Sequence, residues 1–284
     1  MNTLSSMPPE MILFFVAILG LIIGSFLSVV IYRTPIILHQ QWQEECQSYL
    51  KLQQASTDQP LSLAQPGSHC PQCKQPLKIW QNIPLIGYLV QKGVSRCCHH
   101  KIPLRYPILE ILTALVCVFF VSRYGLTNIA LFSILFITAL IALFYIDLDT
   151  KLLPDCLTLP LLWMGLLINT NTLFTPLRQA VISAAIGYCS LYVIAQIFLR
   201  IRGKQGMGNG DFKMLAMVGA WLGYNAMINT LFFAALIGIC CTLALVLCKK
   251  IKVTDTIPFG PFLAVSAGLS FLCGPWLLQL FWGA

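Results

Sequence analysis

The sequence predicts an all-α polytopic membrane protein with about eight transmembrane helices and a cytoplasmic loop built like a zinc knuckle. Three observations carry that class. The chain is 57% hydrophobic and only 10% charged, with a mean hydropathy of +0.78, far from the roughly 25% charge of a soluble domain. Charge-poor runs recur at about 11–32, 106–122, 128–146, 156–171, 179–199, 212–224, 226–248 and 258–281. Sixteen of the eighteen lysines and arginines fall on one side of the bilayer if the chain crosses eight times with its N-terminus outside, and the positive-inside bias makes that side cytoplasmic.

Taken in order, the first run has no Lys or Arg before Arg33 and no small-residue cleavage site after it. It therefore reads as a retained anchor over residues 1–32 rather than a signal peptide. Residues 33–105 form a cytoplasmic loop too long for a structureless connection in a compact fold. Within it, 39–54 suits a short helix and 55–68 a polar linker. Residues 106–284 hold the other seven runs as one seven-helix membrane domain. A helix needs roughly 20 apolar residues to cross ~30 Å of hydrocarbon, so the runs at 156–171 and 212–224 are short. The net charge of +8 is explained by anionic inner-leaflet lipid. It calls for no nucleic-acid partner, because no basic stretch interleaves aromatics. The partner implied at this stage is the lipid bilayer.

The loop carries Cys70-Pro-Gln-Cys73, a knuckle spacing that lets two thiolates bind one Zn²⁺. A second pair is expected about twenty residues on, where the chain has Arg96-Cys97-Cys98-His99-His100. Adjacent cysteines point apart, so the set is Cys70, Cys73 and Cys98 with one of Cys97, His99 or His100. On the cytoplasmic side metal binding is favoured over disulfides. Such a site is closed and structural; it staples a loop too small to bury a core of its own.

Acid is scarce, ten residues in 284, and a carboxylate near hydrocarbon marks a functional site by default. Asp147, Asp149 and Asp155 follow the third run. Asp147 lies nearest the apolar residues, Asp149 suits the solvated interface, and Asp155 behind Pro154 suits a helix start. Asp211 ends Gly206-Met-Gly-Asn-Gly-Asp211, whose glycines allow positive φ and close backbone approach. Paired with Asp147 it gives a mechanism: two carboxylates near contact share a proton, one activates water and the other protonates the substrate. No nucleophile competes. Ser25 has no base in its span, and all four histidines lie in the 33–105 loop.

Several motifs together resemble the prepilin peptidases, the type IV prepilin leader peptidases of the GxGD aspartic protease class. They are Gly24-Ser-Phe-Leu-Ser-Val-Val-Ile-Tyr-Arg33, Cys70-Pro-Gln-Cys73, Asn82-Ile-Pro84, Arg105-Tyr-Pro107 with Glu110, Asp147-Leu-Asp149, Leu153-Pro-Asp155 and Gly208-Asn-Gly-Asp211. They cover nearly the whole chain in order. The resemblance implies that Asp147 and Asp211 are the catalytic pair of an inner-membrane endopeptidase. It implies cleavage of a short basic leader on the cytoplasmic side, with type IV prepilins and type II secretion pseudopilins as substrates. It also implies N-methylation of the new amino terminus with S-adenosylmethionine. The chain departs from the family at the second Cys-x-x-Cys. Aligned without gaps on Arg105-Tyr-Pro107, the third cysteine falls on Ser95 and the fourth on Cys98. The metal set is taken as Cys70, Cys73, Cys97 and Cys98. A basic leader also needs acids to meet, for which Glu44, Glu45, Asp58, Asp149, Asp155 and Glu110 are candidates. Two rivals remain: a proton-coupled transporter using the same acids, and a zinc module that only recruits partners. The acids lie near one face and no inverted repeat is evident, which counts against a transporter.

Overall fold

The computed structural model describes residues 8–51, 61–70, 72–250, 252 and 257–282, with the side chains of residues 79 and 274–282 left undescribed. Among these the regular structure is helical: α1 (Pro9–Tyr49), α2 (Ile86–Val90), α3 (Arg105–Tyr124), α4 (Asn128–Thr150), α5 (Asp155–Ile168), α6 (Leu177–Arg202), α7 (Asn209–Leu247) and α8 (Gly260–Trp282). Two isolated β-bridges are the only extended pairings among the described residues. All eight apolar runs are helical once α7 is divided at Gly223, whose φ of 79° and ψ of −175° break the helix. Among the described residues five helices, α1, α3, α4, α6 and α7, are long and apolar enough to cross a membrane. With its 14 residues, α5 spans only about 21 Å. This is an all-α polytopic membrane protein.

The chain forms two compact units, Met1–Thr138 and Ala139–Ala284. In the first, α1 does not stop at residue 32. It continues unbroken to Tyr49 through Pro35, so residues 39–49 extend the first helix and are not a separate one. Of the polar linker expected at 55–68, residues 55–60 and Asp58 lie outside the described residues. Its far end is held by Arg33, whose buried guanidinium donates to the carbonyls of Ser62 at 2.9 Å and Pro66 at 2.7 Å, and to Leu63 and Gly67 at 3.3 Å. Helices α1 and α3 cross through small residues. A Cβ on Gly20 would stand 2.6 Å from Ala114 Cα, and one on Gly24 the same distance from Glu110 Cα. Close backbone approach of this kind is how helices associate where lipid supplies no hydrophobic drive. Phe14, Phe15, Ile18, Leu19, Ile22 and Phe26 are exposed, as suits a lipid-facing surface.

The second unit is built around the first half of α7. Residues 214–221 are uncharged on every side and all buried, the pattern of a helix enclosed by others. Gly219 lies under the Ser183 carbonyl of α6 at 2.6 Å from its would-be Cβ, and Gly165 of α5 lies under the Trp221 indole. Trp221 donates its indole N–H to the Leu161 carbonyl at 2.7 Å. The break at Gly223 is capped from outside the helix. Asn169, fully buried, donates to the carbonyls of Ala220 and Trp221 at 2.9 and 3.0 Å, and accepts from the amides of Phe174 and Thr175 at 3.0 and 3.2 Å. All of its amide hydrogen-bonding capacity is used.

Candidate active site

Asp147 sits in the last turn of α4. The helix ends at Thr150 because Lys151 turns to φ +56° and its amide caps the Asp147 carbonyl at 2.9 Å. An extended Leu152-Leu153-Pro154 follows, and Pro154 with ψ 128° starts α5. Asp211 stands in the first turn of α7, behind Gly208 with ψ 148°. Both carboxylates are buried, Asp147 at 5% and Asp211 at 6% exposure. Leu153 joins the two: a Cβ on Gly210, the neighbour of Asp211, would fall 2.6 Å from it, and one on Gly260 would touch both Leu153 and Asp147. Residues far apart in the sequence are therefore brought to one place.

Glycines make that meeting possible, by space rather than by backbone freedom. Neither Gly208 nor Gly210 has positive φ. A Cβ on Gly210 would fall 2.6 Å from Leu153 Cβ, so only glycine lets α7 close on the Asp147–Asp155 segment. Gly208 is open, with Asp211 Oδ2 the nearest atom at 3.8 Å from its would-be Cβ. A third glycine was missed by sequence reasoning. Gly260 opens α8, its amide faces the Asp147 carboxylate, and a Cβ there would lie 2.5 Å from Asp147 Oδ2 and 3.1 Å from Leu153 Cδ1. Asp147 Oδ2 itself has no hydrogen-bond partner among the described residues. The signal available was a glycine between Pro258 and Pro261, just before the last apolar run.

The other acids do different things. Asp155 does not cap its helix through its side chain. Both its oxygens take the Lys213 ammonium at 2.7 Å, tying the start of α5 to the start of α7 at a half-exposed position. Asp149, Glu44 and Glu45 are exposed. Glu110 is buried in the N-terminal unit and accepts the Leu85 amide at 2.8 Å.

The Sγ atoms of Cys70, Cys73, Cys97 and Cys98 lie within 4.8 Å of one another, and the four thiols can hold a metal ion. Separations of 3.7 Å for Cys70–Cys98 and 3.9 Å for Cys97–Cys98 match the ~3.8 Å edge of a tetrahedron with 2.3 Å metal–sulfur bonds. Cys73–Cys97 is shorter, 3.0 Å. His99 and His100 are not part of the cluster. Two turns of the same shape build it. Each is closed by a bridge, His69 with Pro76 and Val94 with Lys101. Each has a positive-φ residue four places after its first position, Lys74 after Cys70 and His99 after Ser95. Ser95 therefore occupies the second turn's first position, and Cys97 reaches in beside it, 3.0 Å from the Ser95 hydroxyl. Burial opposes ionisation of Cys70, but the Cys73 and Gln72 amides, Ser95 and Cys97 outweigh it and bring the thiol down to about 6. The Cys97 sulfur pushes Cys73 up to about 12.

A helical, many-spanning membrane protein with two buried carboxylates brought to one place and a four-thiol knuckle is the class that fold and site define. Two family models match in series, the Bacterial Peptidase A24 N-terminal domain over residues 18–124 and the Type IV leader peptidase family over 134–243. The chain belongs to the type IV leader peptidase family. A prepilin leader peptidase/N-methyltransferase of Neisseria gonorrhoeae is 40% identical over 256 residues, 90% of this chain and 88% of that protein. Proteins of the same description from Pseudomonas putida and Legionella pneumophila are 38% identical over 272 residues (96% and 94%) and 41% identical over 270 residues (94% and 90%). No solved structure matches the chain. Nothing in these comparisons favours a transporter.

Proposed function

We propose that this chain is an aspartic endopeptidase of the bacterial inner membrane. It removes the short basic leader of type IV prepilins and type II secretion pseudopilins at the cytoplasmic face, and N-methylates the new amino terminus. The observation that carries the reading is the burial of Asp147 and Asp211 at one place. In the mechanism one carboxylate takes a proton from water as the water attacks the scissile carbonyl, and the other protonates the leaving amine. Gly260 and Gly210 let α8 and α7 close on the acid pair.

The supporting frame is eight crossings with the N-terminus outside: an anchor over 1–32, a cytoplasmic loop over 33–105 and a catalytic domain over 106–284. Zinc fits the four thiols by donor type and spacing, and it would staple the loop without taking part in hydrolysis. S-adenosylmethionine supplies the electrophilic methyl group when bound.

The test is incubation of the purified chain with a prepilin-like peptide, with leader loss and methyl gain followed by mass. Asp147→Asn and Asp211→Asn are each expected to lower cleavage by roughly 10²–10⁴-fold while zinc content is retained. Wild-type cleavage in either variant would refute the assignment.

A further inference from the structure

We propose that a cleft in the N-terminal unit seats the sulfonium and amino-acid end of S-adenosylmethionine; this rests on the reading that the chain transfers methyl groups. The cleft is bounded by α1, the Cys-rich segment and α3, and encloses about 210 Å³. That is below the ~300 Å³ of a site enclosing a whole drug-sized ligand. It suits the compact charged end of the donor, with the nucleoside toward the mouth.

The wall chemistry matches that end. Glu110 lines the cleft at 8% exposure. Its carboxylate accepts the Leu85 amide at 2.8 Å and the Ser25 hydroxyl, two neutral donors. A carboxylate withdrawn from water favours a cationic ligand. Gly24, with its would-be Cβ 2.6 Å from Glu110 Cα, fixes Ser25 beside that carboxylate by letting α1 lie on α3. Tyr32, Tyr88 and Tyr106 share the wall, and aromatic faces attract onium cations such as a sulfonium. Arg33 is in the same wall but is committed to four loop carbonyls. Lys101 stands exposed in the lining and suits the donor's carboxylate. All of these residues fall inside 18–124, the span of the N-terminal family match, and the proposed hydrolysis uses none of them.

Isothermal titration of the purified full chain with S-adenosylmethionine and with S-adenosylhomocysteine, whose sulfur is uncharged, tests this. The wild type is expected to bind the sulfonium form more tightly. Glu110→Gln is expected to weaken S-adenosylmethionine about tenfold and the homocysteine form much less, which narrows the preference. Tyr88→Leu gives an independent loss of the same preference should Glu110→Gln fail to fold, folding being judged by zinc content and melting. Unchanged affinity for S-adenosylmethionine in both folded variants overturns the cleft assignment and leaves the methyl-transfer reading standing. No binding of either compound by the wild type overturns that reading, and this assignment with it.

Discussion

At the scale of residues, the site is decided by what a single methyl group would touch. Gly210→Ala and Gly260→Ala each place a carbon where Leu153 or Asp147 already stands, so α7 or α8 must retreat from the acid pair. A displacement near 1 Å costs about 10²-fold in a positioned reaction, and leader cleavage in both variants is expected to fall by about that factor. Gly208→Ala, with open space at its Cβ, is expected to stay within about threefold of wild type; a peptide-cleavage assay on the three variants checks the ranking. The sequence shows the glycines before Asp211 but not which of them is crowded, because crowding depends on Leu153 from another segment. The knuckle behaves likewise. Spacing left Cys97, His99 and His100 as alternatives; the pairing of Ser95 with Cys70 in two like turns favours Cys97. Cys97→Ser is expected to lower bound zinc well below one per chain, while His99→Ala and His100→Ala keep it, as measured by elemental analysis of purified protein.

At the scale of elements, the half-length helices explain how polar backbone survives beside hydrocarbon. The turn at Gly223 exposes carbonyls that lipid cannot satisfy, and an unsatisfied group there costs several kcal/mol. Asn169, at the end of α5, answers two of them and two loop amides at once. Asn169→Leu leaves four polar groups unpaired at about 1–3 kcal/mol each. Thermal melting in detergent is expected to fall steeply, more than for a change at an exposed site such as Ile201→Ala. Hydropathy made both short runs visible. It did not reveal that 212–224 and 226–248 form one kinked helix, because the break rests on a single glycine in positive φ among apolar neighbours. Nor did the polar composition after Arg33 show that α1 runs on to Tyr49, since a helix leaving the membrane needs no apolar face.

At the scale of the whole molecule, composition and charge bias were enough for the class. Charged residues make up only 10% of the chain, and eight crossings with the N-terminus outside would gather sixteen of the eighteen basic residues on one side. The acids stood out because acid is rare here and a carboxylate at a helix end beside apolar runs needs a reason. What the sequence hid were long-range contacts: Gly260 under Asp147, Lys213 on Asp155, and the cleft around Glu110. Each joins segments whose spacing carries no period.

The central claim is that Asp147 and Asp211 act as one catalytic unit. Rates of leader removal by Asp147→Asn, Asp211→Asn and the double variant test it most directly, because groups that act together lose nearly everything when either is removed. The account predicts that the double variant is no slower than the slower single variant. Losses that multiply, or a single variant that cleaves at the wild-type rate, would contradict it.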